Sequence, residues 1–270
     1  MSRIDDTLRG LRSLDAIAAR NGALTSLDPR AKILATLGFI IAVVSFDRYS
    51  VLALLPFALF PVALAALGEV PRRLILRKLL IASPFALMIG IFNPLFDHQP
   101  LVDLFGYSLS GGWVSFASIV LRFLLTVGTA LVLVATTGFF NVCAGLRQLG
   151  VPRVFTTQLL FLHRYAEVLS GEAARMSAAR ELRAGGKKHL GLALYGSLLG
   201  HLLLRALERA QRIHLAMISR GFDGELRSIQ AQSWRFTDTM FLAGCAACFL
   251  VARQINLPRA IGQWLIGLAA

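Results

Sequence analysis

WVSFASIVLRFLLTVGTALVLVATTGFF, residues 113–140, decides the class of fold. Its 28 positions carry a single charge, Arg122. About 20 apolar residues are enough for a helix to cross the hydrocarbon of a bilayer, so the stretch reads as a membrane span. The whole chain agrees: of 270 residues 56% are hydrophobic and 16% charged, with a mean hydropathy of +0.65. A soluble domain is about 45–50% apolar and about 25% charged, so the excess apolar surface here needs lipid to cover it.

Four further apolar runs flank this one: Ala31–Phe46, Val51–Gly68, Leu79–Phe96 and Phe236–Ala252. The third contains Pro84 and Asn93-Pro94. Leu190–Leu204 is also apolar, but it is short and runs straight into Arg205. It is expected as a helix buried against the bundle at the interface. Whether the amphipathic tail Ala260–Ala270 adds a sixth segment stays open. The expected fold is all-α, a polytopic bundle of about five transmembrane helices forming a single membrane domain over residues 1–270. Residues 1–32 are polar and lack the apolar core of a cleavable signal peptide.

The distribution of Lys and Arg orients the spans. The N-terminal segment 1–32 holds six basic residues, Arg30 and Lys32 among them. The turn between the second and third spans carries Arg72, Arg73, Arg77 and Lys78, whereas residues 97–112 carry none. Residues 141–235 carry fourteen Lys and Arg against six Asp and Glu. Basic residues accumulate on the cytoplasmic side. The N-terminal segment, the 69–78 turn and the 141–235 region are therefore expected in the cytoplasm, with the chain threaded several times through a bacterial plasma membrane. The formal net charge of +13 lies between apolar spans, which favours topology and an anionic membrane surface over nucleic acid.

Region 141–235 is the water-facing machinery. Gly150-Val151-Pro152 breaks the chain, and a helix is expected from Phe155 to about Ala184 with Phe161, Tyr165, Val168, Leu169 and Met176 on one side. Arg180 and Arg183 fall in its last turns, where cations suit exposed carbonyls, and Gly185-Gly186 stops it. A second helix is expected from about Leu190 to Arg220, ended by Gly221. On it Arg205, Arg209 and Arg212 form one stripe, in which Glu208 can pair with Arg212. Two readings of that stripe stand: a set of cytoplasmic anchors, or a second contact surface. Arg183 and Arg220 occupy the same place on comparable helices, a guanidinium on a rigid tip suited to a carboxylate- or carbonyl-lined groove.

Chemistry finds no foothold. No nucleophile–base pair or carboxylate pair stands near a span, Asp238 at the start of the fifth span is alone, and no G-x-x-x-x-G-K-[ST] phosphate loop occurs. His98, His163, His189, His201 and His214 are scattered, and no resident metal site is expected. His98 with Asp97 and Asp103 comes nearest to one. Cys245 and Cys248 lie in an apolar run and read as small packing residues. Arg122 inside a span is either a carbonyl-bonded structural residue or a functional one. A self-sufficient secondary metal transporter is the rival class, but the broken third span has no counterpart in a second half.

Ser26-Leu27-Asp28-Pro29-Arg30-Ala31-Lys32 is similar to the motif that opens the first span in the transmembrane (T) components of energy-coupling factor (ECF) transporters, CbiQ-type cobalt transport proteins in particular. Thr136-Thr137, Leu149-Gly150-Val151-Pro152 and Arg164-Tyr165 resemble the family's approach to its coupling helices. Ala216-Met217-Ile218-Ser219-Arg220-Gly221-Phe222-Asp223-Gly224 resembles the second coupling-helix motif. The first motif departs from the usual pattern, reading Leu182-Arg183-Ala184-Gly185 with Arg180 as a rival; spacing to Arg220 favours Arg183. The resemblance implies a non-catalytic subunit of an ATP-driven importer, binding no cofactor itself. Its partners would be two ATP-binding-cassette subunits and a membrane subunit that captures the substrate. Arg183 and Arg220, with Ala184, Gly221, Arg180 and Ser219 around them, would lock into the ATPases. The implied cargo is cobalt for cobalamin synthesis, with nickel as the alternative.

Overall fold

Asp28 starts the first helix by placing its side chain on the Arg30 N–H at 2.9 Å, with Pro29 in the first turn. A carboxylate at this position satisfies one of the amides that a helix start leaves unpaired. The computed structural model describes residues 26–47, 51–96, 100–104, 107–183, 192–224 and 233–254. Its helices are α1 (Pro29–Val44), α2 (Val51–Leu67, through a 3-10 turn at Leu55–Ala58), α3 (Arg72–Gly90), α4 (Phe92–Phe96), α5 (Gly111–Thr137), α6 (Phe139–Gln148), α7 (Arg153–Arg183), α8 (Leu192–Ile218) and α9 (Phe236–Gln254). The chain is helical, as its sequence predicts. Between α4 and α5 a two-stranded antiparallel hairpin, β1 (Pro100–Leu104) and β2 (Tyr107–Ser110), pairs Leu104 with Tyr107.

The described residues fall into two compact units, one made of those within 143–224 and the other of those within 26–142 and 233–254. In the second, three segments are long and apolar enough to cross a membrane: Arg72–Pro94, Gly111–Thr137 and Phe236–Gln254. The 16 residues of α1 reach about 24 Å at 1.5 Å per residue, short of a hydrocarbon core of about 30 Å. As a span it needs snorkelling flanks or a locally thinner bilayer. Lipid-facing character is visible on α3, where Leu80 is 74% and Phe85 71% exposed.

α5 is the axis of this unit, touched by α1, α2, α3 and α4, while α9 packs on α1. Phe39, Val43, Leu54, Phe57 and Leu125 form the core, with Phe60 stacked on Phe39 and edge-on to Phe249, centroids 4.9 Å apart in both pairs. Several hydroxyls inside α5 bond the helix's own carbonyls. The Thr129 and Thr136 hydroxyls donate to the carbonyls of Leu125 and Val132, at 2.6 and 2.8 Å. A Cβ at Gly68 would lie 2.3 Å from Thr136 Cγ2, so this glycine lets the end of α2 reach α5.

The third span differs from its expected bounds for a legible reason. Pro84 lies inside α3 without breaking it. Proline cannot donate to the carbonyl four residues back, which is that of Leu80, and the Ser83 hydroxyl takes that carbonyl instead at 2.9 Å. The break comes at Ile91, after which Asn93 Nδ2 donates to Ser115 Oγ at 3.0 Å. Leu190–Leu204 is not a separate buried helix. Its described part belongs to the long α8, and Leu199, Leu203 and Leu204 are all exposed, because they lie away from the side of α8 that meets α7.

Candidate coupling helices

α7 has 31 residues and α8 has 27, which makes them about 46 and 40 Å long. They lie antiparallel. Thr157 Oγ, near the start of α7, donates to the Gly224 carbonyl beyond the end of α8, at 3.3 Å. At mid-length Glu172 of α7 meets Arg205 and Arg209 of α8. Toward the other end Met176, Arg180 and Arg183 share a cleft of about 860 Å3 with Ser197, Leu198 and His201. Near the first end, Phe161, Tyr165, Leu169, Ile213 and Met217 line an apolar groove of about 430 Å3.

The helix ends follow the expected signals. Gly150-Val151-Pro152 separates α6 from α7, with the Val151 N–H on the Leu146 carbonyl at 3.1 Å. At the end of α8 the Phe222 N–H donates to the Met217 carbonyl at 3.0 Å and the Gly221 N–H to that of Ile218 at 2.9 Å. These two bonds, with Gly221 at φ +76°, are a Schellman closure. Arg220 is thereby the last residue before the chain turns away, and it is exposed, as is Ser219. Arg183 is exposed at the last described position of α7, and Arg180 is half-buried one turn earlier. Ala184, Gly185 and His189 lie outside the described residues. Antiparallel packing puts Arg183 and Arg220 at opposite ends of the pair.

The Arg205, Arg209, Arg212 stripe divides. Glu172 is 7% exposed, and its two oxygens accept from Arg205 Nη1 at 3.0 Å and Arg209 Nη2 at 3.4 Å. The hydrogen bond from Arg205 holds the Glu172 carboxyl below its ordinary value, with the charges of Arg209, Arg205 and Arg175 acting the same way and burial opposing them. Arg212 Nε donates instead to the main-chain carbonyl of Glu208 at 3.4 Å. Two of the three guanidiniums therefore hold the pair together.

In the other unit Arg122 donates to the carbonyls of Phe46 at 2.9 Å and Asp47 at 2.5 Å, beyond the end of α1. Arg253 joins it there, donating to Ser45 Oγ at 2.9 Å with its guanidinium 5.7 Å from the centre of the Phe46 ring. The expectation that Asp238 stands alone fails. It is 1% exposed; Oδ1 accepts the Asp28 N–H at 2.9 Å and Oδ2 the Arg235 N–H at 2.8 Å. Lys32, 5% exposed, has Asp238 and Asp28 as neighbouring charges. Sequence reading missed this node because its members are 210 positions apart; the signal was an acid at the mouth of an otherwise apolar span. Among the described residues no group of three or more His, Cys, Asp or Glu is placed to hold a metal ion. Asp97 and His98 lie outside them. Cys245 is half-buried, Cys248 exposed and Cys143 buried, all as free thiols.

The cobalt transport protein family CbiQ matches residues 21–231. The chain therefore belongs to that family, the T components of ECF transporters, and is an integral membrane transport protein. Two uncharacterized proteins of Methanocaldococcus jannaschii are similar along most of it. One is 26% identical over 229 residues, covering 80% of this chain and 83% of that protein. The other is 25% identical over 234 residues, covering 82% and 79%. The cobalt transport protein CbiQ of Rhodobacter capsulatus is 31% identical over 101 residues, 37% of this chain and 41% of that relative.

Proposed function

We propose that this chain is the non-catalytic energy-coupling subunit of an ATP-driven cobalt importer, with α7 and α8 as its coupling helices. Two ATP-binding-cassette subunits sit at the cytoplasmic face and a separate membrane subunit captures the ion. Arg183 and Arg220 each enter a groove of one ATPase, with Arg180, Ala184, Ser219 and Gly221 shaping the two tips. The observation that carries this reading is the antiparallel pairing of α7 with α8. It sets two arginine-bearing helix ends far apart and facing opposite ways, as two separate sockets require. A guanidinium suits such sockets because its planar fork bonds a carboxylate or a pair of carbonyls in one geometry.

The test is affinity purification of the tagged chain from its own membrane, followed by ATPase assay and by uptake of radiolabelled Co2+ and Ni2+. Arg183→Ala with Arg220→Ala abolishes uptake-coupled ATP hydrolysis and leaves membrane insertion intact, while Arg→Lys at either site restores only part of it. Preferential uptake of Co2+ over Ni2+ supports cobalt as the cargo. Normal uptake by the double alanine chain removes the coupling role from these two residues.

A further inference from the structure

We infer that Glu172 is the positioning residue that fixes the register of α7 against α8, and with it the separation of the two arginine tips. Its consequence for transport rests on the coupling role proposed above. Three observations on this helix pair lead to it.

The pair is loosely joined on either side of its middle. Toward one end lies the apolar groove lined by Phe161, Leu169, Ile213 and Met217; toward the other lies the open cationic cleft of Arg180, Arg183, Ser197 and His201. Apolar contact is non-directional, so a groove of that kind tolerates sliding. Between the two openings stands one carboxylate, 7% exposed, receiving two guanidiniums at 3.0 and 3.4 Å. Charge-assisted bonds of this type have a defined direction and distance.

The donors, Arg205 and Arg209, are one helical turn apart on α8. Glu172 uses both at once. A slip of α8 by a turn one way forfeits one of the two bonds. The other way it exchanges Arg205 for Arg212, which must then leave the Glu208 carbonyl. The native register is the one in which Arg205 and Arg209 meet the carboxylate and Arg212 keeps its own acceptor. Its place in the pair is also central. Glu172 precedes Arg183 by eleven residues on α7, and Arg209 precedes Arg220 by eleven on α8. Each tip thus lies about 16 Å from the clamp, in opposite directions, giving a span of roughly 33 Å. A fastener midway between two contact points moves both by the same amount when it yields.

The test uses the full chain in nanodiscs with Cys143, Cys245 and Cys248 changed to alanine. Spin labels are placed at Leu182→Cys and Leu215→Cys, both exposed in the native chain, and pulsed dipolar spectroscopy reads their separation. The parent gives one narrow distance. Glu172→Gln shifts or broadens it by about 5 Å, one turn of helix, and Arg205→Ala with Arg209→Ala does the same. Glu172→Asp keeps the charge and keeps the single distance. Size-exclusion behaviour establishes that each variant is folded, and the arginine pair gives an independent reading should Glu172→Gln fail to fold. An unchanged distribution in the variants that lack the clamp overturns the inference. In the assembled transporter, Glu172→Gln retains bound ATPase subunits but moves less Co2+ per ATP hydrolysed. Should the Arg183→Ala, Arg220→Ala chain transport normally, the coupling role fails, while the distance measurement still decides the register.

Discussion

Asp238 shows how much one side chain does where the chain returns to the membrane unit. Its carboxylate binds the first amide of α1's cap residue and an amide of its own approach, with the Lys32 ammonium as a neighbouring charge. Removing one member of such a buried set leaves the others without compensation, which costs about 3–5 kcal/mol. Asp238→Ala is therefore expected to lower the thermal stability of the detergent-solubilised chain strongly, while Asp238→Asn, which retains one acceptor, loses less. Equal melting of the alanine variant and the parent would show that the node carries no stability. Arg122 and Asp238 were both conspicuous in the sequence as charges within or beside apolar runs. What they bond was not legible, because Phe46 and Asp28 come from distant parts of the chain. Arg122 ties down the main chain just beyond α1 by bonding two of its carbonyls.

The helices α7 and α8 show where local sequence suffices and where it does not. Gly150-Val151-Pro152 and Gly221 punctuate the chain by backbone geometry alone, and so α7 and α8 end within a few residues of expectation. Gly221→Ala places a Cβ at φ +76° and should cost about 1 kcal/mol, fraying the Arg220 tip; faster amide exchange of Arg220–Phe222 is the readout. The stripe of arginines on α8 was visible, but its partner was not, since Glu172 belongs to the other helix. That partner makes the pair sensitive to acid. Glu172's folded value is lowered from an ordinary 4.5, so the stability it contributes is complete above about pH 4.5 and is lost as pH falls through the folded value. The label distance across α7 and α8 is expected to broaden on acidification below pH 4.5. In Glu172→Gln the distance is already shifted or broadened and stays constant with pH. That chain keeps every other side chain of the cleft and so isolates the carboxylate.

At the scale of the whole molecule, the argument turns on which side of the membrane α7 and α8 occupy, because ATP is available only in the cytoplasm. The charge pattern answers in one direction: four basic residues at 72–78, none at 97–112, and fourteen at 141–235. The lengths of α3 and α5 suffice for single crossings on either side of the β1–β2 hairpin, and the charge pattern leads to the expectation that the hairpin faces away from the cytoplasm. An impermeant maleimide is expected to label Ser108→Cys in intact cells and Leu182→Cys only after the membrane is opened, each in the chain lacking native cysteines. A reversed pattern would leave the arginine tips on the side without ATP, and no geometry of α7 and α8 could then couple hydrolysis to transport. If both positions label in intact cells, α5 does not cross, and the 113–140 stretch has been misread as a span.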